Sequence, residues 1–515
     1  MHPIIHAYAM PDKPACILAD TGETLAYLEL ERRANQGAQL FRALGLKRGD
    51  GVAVLLENSF ATFEIGWAAQ RCGLYLTSVS TKASPADIAY IVEDADARLV
   101  IAAGELSATL EQAAALFEDR TRVVLSDAEG RQSYAQLRQH QPAERIRNES
   151  AGTDMLYSSG TTGRPKGVRP VLPDGPLDER TPLMAMGEQL YAMGRDCVYL
   201  STSPLYHAAP LRWAMTIQRY GGTVVVMEKF DAEQALALIE RYRITHSTWV
   251  PTHFVRMLKL PEQVRARYDC SSQRAVIHAA APCPVQVKQA MIDWWGPILH
   301  EYYSGTEQCG ITALDSPQWL RKRGSVGKAV LGEIHILDDE GRELPPRSIG
   351  NIYFANGPRF SYHNDPDKTR QAHNERGWAT LGDIGWLDED GFLYLTDRKS
   401  FMIISGGVNI YPQEIEDCLV THPQVEDVAV IGAPDEEMGE CVVAVVKLRD
   451  PRAQSPALTE ELRRYVRGAL GGVKCPQRFD FREALPRTPT GKLMKRLLRD
   501  EYRRDASGAA EAVMP

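Results

Sequence analysis

The most informative segment of the chain reads Tyr157-Ser-Ser-Gly-Thr-Thr-Gly-Arg-Pro-Lys-Gly-Val168, and the residues leading into it, 153–157, are strand-like. Glycines allow the main chain to approach an anion closely, and successive N–H groups together with hydroxyls can surround phosphate oxygens. Lys166 adds a positive charge to the same loop. Because the spacing G-x-x-x-x-G-K-[ST] is absent, the segment predicts a phosphate site that differs from the Walker A type.

The sequence on both sides of this loop alternates between predicted helices and strands. Residues 28–44 carry apolar side chains at helical spacing, with Gly45 placed to end the helix, and Ser84 before Pro85 is a typical helix start. Further predicted elements are a helix over 61–72 and strands over 52–56, 98–102 and 223–227. The alternation predicts an α/β fold in layers with largely parallel sheets.

Short β-like runs at 332–337 and 351–354 predict a smaller β-rich subdomain, and a compact α+β unit follows residue 397. In that unit we expect helices over 412–420 and 458–470 and strands over 427–431 and 441–447. The predicted organisation is a large N-terminal domain (1–396), a hinge (397–400) and a small, mobile C-terminal lid domain (401–515). The hinge is not rich in Gly or Ser, so we expect it to be short.

Composition excludes several classes of protein. The 515 residues include 59 Lys+Arg and 67 Asp+Glu, a net charge of −8, and 44% are hydrophobic, which argues against a disordered chain and against a nucleic-acid partner. We expect no transmembrane segment, because no apolar run approaches about 18 residues. The first residues lack a signal-peptide pattern, and the nine cysteines form no CxxC pair. These features predict a reduced, cytoplasmic protein.

Shorter motifs follow the glycine-rich loop. They are Pro204-Leu-Tyr-His-Ala-Ala-Pro210, His278-Ala-Ala-Ala-Pro282, Tyr303-Ser-Gly-Thr-Glu307, Leu381-Gly-Asp383, Asp397-Arg398, Ser405-Gly-Gly-Val-Asn-Ile-Tyr-Pro-Gln-Glu-Ile-Glu416 and Pro489-Thr-Gly-Lys492. In this order, and over nearly the whole chain, they resemble the adenylate-forming superfamily of acyl-CoA synthetases, nonribosomal adenylation domains and firefly luciferase. The resemblance implies a two-step reaction: a carboxylate attacks the α-phosphorus of ATP and pyrophosphate leaves, then a thiol takes the acyl group from AMP.

The resemblance also implies roles at the phosphate end of the nucleotide. The residues expected to hold the β- and γ-phosphates are Ser158, Ser159, Gly160, Thr161, Thr162 and Lys166. Glu307 is expected to hold Mg²⁺, which is commonly bound through one or two carboxylates together with phosphates and water. Thr306 is expected to hydrogen-bond the α-phosphate.

At the other end of the nucleotide, the resemblance implies that Tyr303 stacks on adenine against the backbone of Ala279 and Ala280. Asp383 is expected to accept hydrogen bonds from the ribose hydroxyls, and Arg398 is expected to support the ribose. Both are common surface residue types, so only the order of the motifs gives them this role.

Two motifs of the C-terminal domain have implied roles. Lys492, on a tight turn, is expected to bridge the substrate carboxylate and the α-phosphate during adenylation. Family members rotate this domain between the two half-reactions. Gly406 and Gly407 would then line the tunnel for CoA, although two adjacent glycines suit a hairpin turn equally well.

Two positions depart from the family pattern. Ser400 stands where the family commonly has a charged hinge residue, so a charge-based contact is lost there while rotation remains possible. Gln308 follows Glu307 where acyl-CoA synthetases often have Gly. Neither position belongs to the predicted phosphate or magnesium chemistry.

The acyl substrate is the least defined part of the prediction. His207 and Tyr206 stand where the family gates the carboxylate end of the acyl site. Ala208, Ala209, Trp213 and the stretch 249–252 then suggest an apolar pocket. A medium- or long-chain fatty acid is favoured, with an aryl or arylalkanoic acid as an alternative.

The thiol acceptor and the class of protein also have alternatives. A carrier protein is an alternative to CoA, although no carrier domain follows Lys492. A luciferase-like oxygenase shares the adenylation half of the reaction. A non-catalytic nucleotide-binding regulator is disfavoured because the residues with implied roles are intact: Lys166, Glu307, Asp383, Arg398 and Lys492.

Overall fold

The computed structural model describes residues 1–117, 121–127, 133–158, 165–487 and 493–511, with side chains up to residue 504. The predicted phosphate-binding residues Ser159, Gly160, Thr161 and Thr162 and the predicted catalytic Lys492 lie outside these ranges. Within them, every helix is too short or too polar to cross a bilayer. All nine cysteines are free thiols.

The first third of the chain builds a five-stranded sheet with strand order β6-β5-β3-β4-β7, in which all neighbouring strands are parallel. The elements of this part of the chain include two strands of a second sheet, β1 and β2, and a separate pair, β8 and β9. In order they are α1 (Pro3–Ala9), β1 (Pro14–Leu18), β2 (Thr24–Ala26), α2 (Tyr27–Ala43), β3 (Gly51–Leu55), α3 (Phe60–Arg71), β4 (Tyr75–Ser78), α4 (Pro85–Asp94), β5 (Ala97–Ala102), α5 (Ser107–Ala114), β6 (Arg122–Leu125), α6 (Tyr134–Gln139), β7 (Thr153–Asp154), β8 (Leu156–Ser158) and β9 (Lys166–Val168). The strand predicted over 153–157 is split at Met155. Its first half joins this sheet, whereas β8 pairs with β9 in an antiparallel hairpin.

The middle of the chain builds a nine-stranded sheet with order β16-β15-β14-β13-β12-β10-β11-β1-β2, parallel from β14 through β1. Its further elements are α7 (Pro182–Tyr191), β10 (Val198–Ser201), α8 (Ala208–Tyr220), β11 (Thr223–Val226), α9 (Ala232–Tyr242), β12 (His246–Trp249), α10 (Pro251–Leu258), α11 (Glu262–Arg265), β13 (Ala275–His278), α12 (Val285–Trp295), β14 (Leu299–Tyr303), β15 (Ile311–Asp315), α13 (Ser316–Arg321) and β16 (Lys328–Leu331). Because β13 and β14 are parallel neighbours, their carboxyl ends open on the same edge of the sheet.

The large domain is layered because alternate strand residues face opposite sides of each sheet. Val224 and Val226 pack into one hydrophobic cluster, which also contains side chains of the five-stranded sheet and of α2, α3 and α8. Val225, between them, packs into another cluster with α9, α10 and α12. The predicted α/β layers with largely parallel sheets are therefore confirmed.

Two smaller units follow. The β-rich unit is an antiparallel sheet of β17 (Glu333–Leu337), β18 (Gly350–Ala355), β19 (Asp383–Leu387) and β20 (Leu393–Arg398), with α14 (Pro366–Gln371) between β18 and β19. The C-terminal domain contains β21 (Ile403–Ser405), β22 (Val408–Ile410), α15 (Pro412–Leu419), β23 (Val425–Asp435), β24 (Gly439–Leu448), α16 (Pro456–Leu470), β25 (Arg478–Phe481) and α17 (Lys495–Glu511). Its two hydrophobic clusters consist only of residues from 403 onward, so this small domain has its own core. The hinge at 397–400 stays a prediction.

Local signals in the sequence correspond to observed caps. The side chain of Ser84 accepts a hydrogen bond from the main-chain nitrogen of Asp87 at 3.1 Å, and Pro85 is the first residue of α4. Helix α2 ends at Ala43, and Gly45 follows with a φ of 86°. Glycine adopts this left-handed conformation without a steric penalty, which explains why the helix ends here.

Candidate active site

The two described ends of the glycine-rich loop are held together by the hairpin β8–β9. Ser158 is paired with Lys166 across it, so these two predicted phosphate-binding residues are neighbours. The Lys166 side chain is half-buried, and burial, reinforced by the charge of Lys368, lowers its pKa. An anionic ligand would stabilise the charged form of a lysine that is partly desolvated in this way.

Glu307, the predicted metal ligand, lies beside this hairpin. The hydroxyl of Tyr362 donates a hydrogen bond to Oε1 of Glu307 at 2.8 Å. The Lys166 ammonium lies 4.8 Å from the centroid of the same tyrosine ring. Tyr362 therefore contacts both predicted phosphate-end groups, although it belongs to no motif that the sequence singled out.

A metal ion fits the chemistry of Glu307. Among the described residues, no three His, Cys, Asp or Glu side chains are arranged to hold a metal. Glu307 offers one carboxylate, and Mg²⁺ is commonly bound through one or two carboxylates together with phosphates and water.

The turn after β14 carries Thr306 and Glu307 and is tied to the strand before the phosphate loop. Gln308 has a φ of 55°, which explains why glycine suits this position. Oriented to satisfy its amide, Gln308 accepts from both terminal nitrogens of Arg212, at 2.9 and 3.1 Å. Arg212, on α8, also pairs with Asp154 at 2.6 Å. Gln308, which departs from the family pattern, thus has a structural partner, Arg212, on α8.

The predicted adenine-binding residues lie at the ends of adjacent parallel strands. Ala279 and Ala280 follow β13, and Tyr303 is the last residue of β14. Ala280 has a φ of 76°, an unfavourable conformation for a residue with a Cβ. Backbone strain of this kind is concentrated at functional sites, which agrees with a loop shaped around a ligand.

The predicted ribose-binding residues are brought together by the register of the β-rich unit. Asp383 and Arg398 are cross-strand partners in β19 and β20, and Arg398 Nε lies 3.1 Å from Asp383 Oδ1. The hydroxyl of Tyr303 donates to Asp383 Oδ2 at 2.7 Å. Burial raises the pKa of Tyr303, and the Asp383 carboxylate raises it further, so this phenol stays a donor.

Sequence reasoning missed a buried polar cluster beneath the adenine loop. Lys288 Nζ lies 2.6 Å from Glu301 Oε2, and His278 Nε2 lies 3.6 Å from the same oxygen. Burial lowers the pKa of His278 and raises that of Glu301. His278 opens a motif quoted above, but no pattern in the sequence marks Lys288 or Glu301 as its partners, because a lysine on a helix such as α12 is usually exposed.

The predicted acyl-gate residues lie at the start of α8. His207 is the N-cap of this helix, and its ring centroid is 4.7 Å from that of Tyr206. Trp213, on the same helix, is buried against Tyr191 and Tyr302, with ring centroids 5.7 and 6.4 Å away.

Trp249, which the sequence grouped with Trp213 in one apolar pocket, packs elsewhere. It lies in the other cluster of the nine-stranded sheet, against Phe254 and Trp295. The prediction that both tryptophans line one pocket is therefore wrong. Trp249, at the end of β12, points to the opposite face of the sheet from the cluster that contains Trp213.

The C-terminal domain contacts the large domain through polar groups. Lys259, at the C-terminus of α10, donates to the main-chain oxygens of Val425 and Glu426 at 3.0 and 3.2 Å. Burial lowers the pKa of this lysine to about 8. Lys399 pairs with Asp339 at 2.6 Å.

The glycines predicted to line a CoA tunnel form a two-residue hairpin turn between β21 and β22. Gly406 and Gly407 have φ values of 55° and 77°, as expected for a turn of this length. The structural alternative is confirmed, and the role in a tunnel stays a prediction. Ser400 lies in a short 3₁₀ turn, where its carbonyl accepts from Arg499 at 2.6 Å.

Comparison with known proteins agrees with this arrangement. Residues 5–359 match the family of AMP-binding enzymes, and residues 414–492 match the AMP-binding enzyme C-terminal domain. The chain belongs to this family, among its acyl-CoA and acyl-carrier-protein ligases, and is an acid–thiol ligase.

Particular relatives cover nearly its full length. The chain is 32% identical to the long-chain-fatty-acid–CoA ligase FadD13 of Mycobacterium tuberculosis, over 96% of this chain and 97% of that protein. It is 31% identical to the fatty acid–[acyl-carrier-protein] ligase ScoC of Streptomyces coeruleorubidus, over 98% and 96%. The solved o-succinylbenzoate CoA synthetase of Bacillus subtilis, in complex with its acyl-adenylate intermediate, is 27% identical with a TM-score of 0.80, covering 97% of each chain.

Proposed function

We propose that the protein is an ATP-dependent acyl-CoA ligase that activates an apolar carboxylic acid through an acyl-AMP intermediate. The observation that carries the proposal is the convergence of two sets of groups on one rim. Tyr303, Asp383 and Arg398 suit a ribose and adenine, and Lys166 and Glu307 suit a metal-bound polyphosphate. Such a rim fits a nucleoside triphosphate better than a mononucleotide alone.

The residues would act by positioning and by neutralising charge, because an anionic carboxylate must approach an anionic phosphate. Asp383 would hold the ribose, and Lys166 with the glycine-rich loop would hold the leaving pyrophosphate. Mg²⁺ at Glu307 would neutralise part of the charge on the phosphates. Lys492 would bridge the carboxylate and the α-phosphate from the C-terminal domain.

The proposed acid is a medium- or long-chain fatty acid, and FadD13 is a relative that supports this choice. One observation favours an aryl acid as the second candidate. Trp213, on α8, lies in an aromatic cluster with Tyr191 and Tyr302, and aromatic surfaces of this kind suit a ring. The proposed thiol acceptor is CoA, and the likeness to ScoC supports testing a carrier protein beside it.

The test is a product assay over a panel of short, medium and long aliphatic acids and aryl acids. Incubation with ATP, Mg²⁺ and CoA is expected to yield AMP, pyrophosphate and the acyl-CoA thioester for at least one acid. Formation of ADP in their place would overturn the proposal. Replacing CoA with a phosphopantetheinylated carrier protein then distinguishes the two acceptors, and the ranking of acids distinguishes the two substrate classes.

A further inference from the structure

Tyr362 lies between the two phosphate-end groups and is itself held by the phosphate-loop hairpin. It forms a β-bridge with Val168, and the main-chain nitrogen of the next residue, His363, donates to the oxygen of Gly167 at 2.8 Å. The tyrosine is only 8% exposed. The backbone of Tyr362 is therefore tied to β9, the strand that carries Lys166.

The contacts of Tyr362 have complementary chemistry. Its hydroxyl donates to Oε1 of Glu307, which orients the carboxylate and leaves Oε2 for another ligand. The face of its ring attracts the ammonium of Lys166. One side chain thus contacts both the acidic and the basic group predicted at the phosphate end.

We propose that Tyr362 is a positioning residue that holds Glu307 and Lys166 in the geometry required to bind a metal–triphosphate. The inference rests on the proposed function, because it assumes that these groups face a nucleotide. A positioning role of this kind differs from a purely structural role in one respect. Loss of Tyr362 should weaken binding of the β- and γ-phosphates and leave binding of the adenosine end unchanged.

Two substitutions separate the two contacts. Tyr362→Phe keeps the ring under Lys166 and removes the hydroxyl, whereas Tyr362→Leu removes both. The matched control is Tyr394→Phe, since Tyr394 lies on β20, stacked on Trp386 with centroids 4.0 Å apart and outside the site. Thermal unfolding of each variant verifies that the fold is retained.

The experiment is calorimetric binding of two nucleotides. One is an ATP analogue with a methylene bridge between the α- and β-phosphates, with Mg²⁺; the other is AMP without metal. Tyr362→Phe is expected to bind the analogue about tenfold more weakly than wild type, the effect of a hydrogen bond to a charged group. Tyr362→Leu is expected to bind the analogue about threefold more weakly than Tyr362→Phe, because the contact between the ring and the Lys166 ammonium is also lost. AMP binding is expected to be unchanged in both variants and in the control.

A double-mutant cycle tests whether the effect passes through the carboxylate. In the Glu307→Gln background, Tyr362→Phe is expected to change binding of the analogue by less than about twofold. If Tyr362→Phe binds the analogue as wild type does, or weakens AMP equally, the inference is wrong while the proposed function stands. If wild type binds neither nucleotide, the proposed function itself is wrong.

Discussion

The two domains contribute to the candidate site in different ways. In the large domain, Tyr303, Asp383 and Arg398 already contact one another, since a strand end and one cross-strand pair place them together. The C-terminal domain has its own core and meets the large domain through polar contacts such as that of Lys259. The residues predicted to bind the nucleoside are therefore already in contact with one another, whereas the small domain keeps a separate core and meets the large domain through polar groups.

The largest expected effect comes from the C-terminal domain. Lys492→Ala should lower adenylation by about 10²–10³-fold, because a charge that stabilises the transition state is lost. Thioester formation from supplied acyl-AMP should remain within a few-fold of wild type. Pyrophosphate release measures the first step and acyl-CoA formation the second, and an equal loss in both would remove the distinction between the two domains.

Asp383→Asn should act on both half-reactions, in contrast to Lys492→Ala. The substitution keeps the shape of the side chain but removes the charge that faces Arg398, so binding of ATP and of acyl-AMP should weaken by about 10–100-fold. The KM for ATP in adenylation and the KM for acyl-AMP in thioester formation measure the two losses of affinity. A loss confined to one half-reaction would contradict a prebuilt ribose site.

Lys259→Met should loosen the contact between the domains. The ammonium bridges two main-chain oxygens of β23, and its loss should raise the rate of proteolytic cleavage near residues 399–401 about fivefold. The control is Lys229→Met, because Lys229 is exposed on the same large domain. Equal cleavage rates for both variants would show that this contact does not hold the domains together.

The last expected effect concerns stability and not activity: it is a pH dependence within the C-terminal domain. Burial raises the pKa of Asp417 from 3.8 to about 7, with Glu416 and Asp397 adding to the effect and Gln413 and Lys495 opposing it. The folded state binds this proton more tightly than the unfolded state does. Protonated Asp417 therefore contributes fully to the free energy of unfolding below pH 3.8, and this contribution is lost as the pH rises through about 7.

Asp417→Asn tests this contribution. Between pH 5 and pH 8, the substitution should reduce the change in the free energy of unfolding by about 1–2 kcal/mol. Thermal unfolding of the two proteins across this pH range measures the difference. Parallel curves would assign the slope to another group.

The helix starts and strands could be predicted from the sequence because their causes are local. Ser84 caps α4 and Gly45 ends α2 for reasons contained in a few neighbouring residues. The order of the motifs likewise assigned Tyr303, Asp383 and Arg398 to one site, and these residues contact one another in the structure; their role toward a nucleotide stays a prediction. The break at Met155 could not be predicted, because it depends on β7 and β8 pairing with different partners.

By itself, the sequence determined the α/β class and the small C-terminal unit, since these follow from local periodicity. The adenylate-forming chemistry was implied by the resemblance of its ordered motifs to a known superfamily. Only the tertiary structure decided that Tyr362 joins Glu307 to Lys166, that Gln308 is held by Arg212, and that Trp249 and Trp213 lie in different clusters. These contacts join residues far apart in the chain. They depend on strand register and on which face of a sheet a side chain takes, and neither is encoded by neighbouring residues.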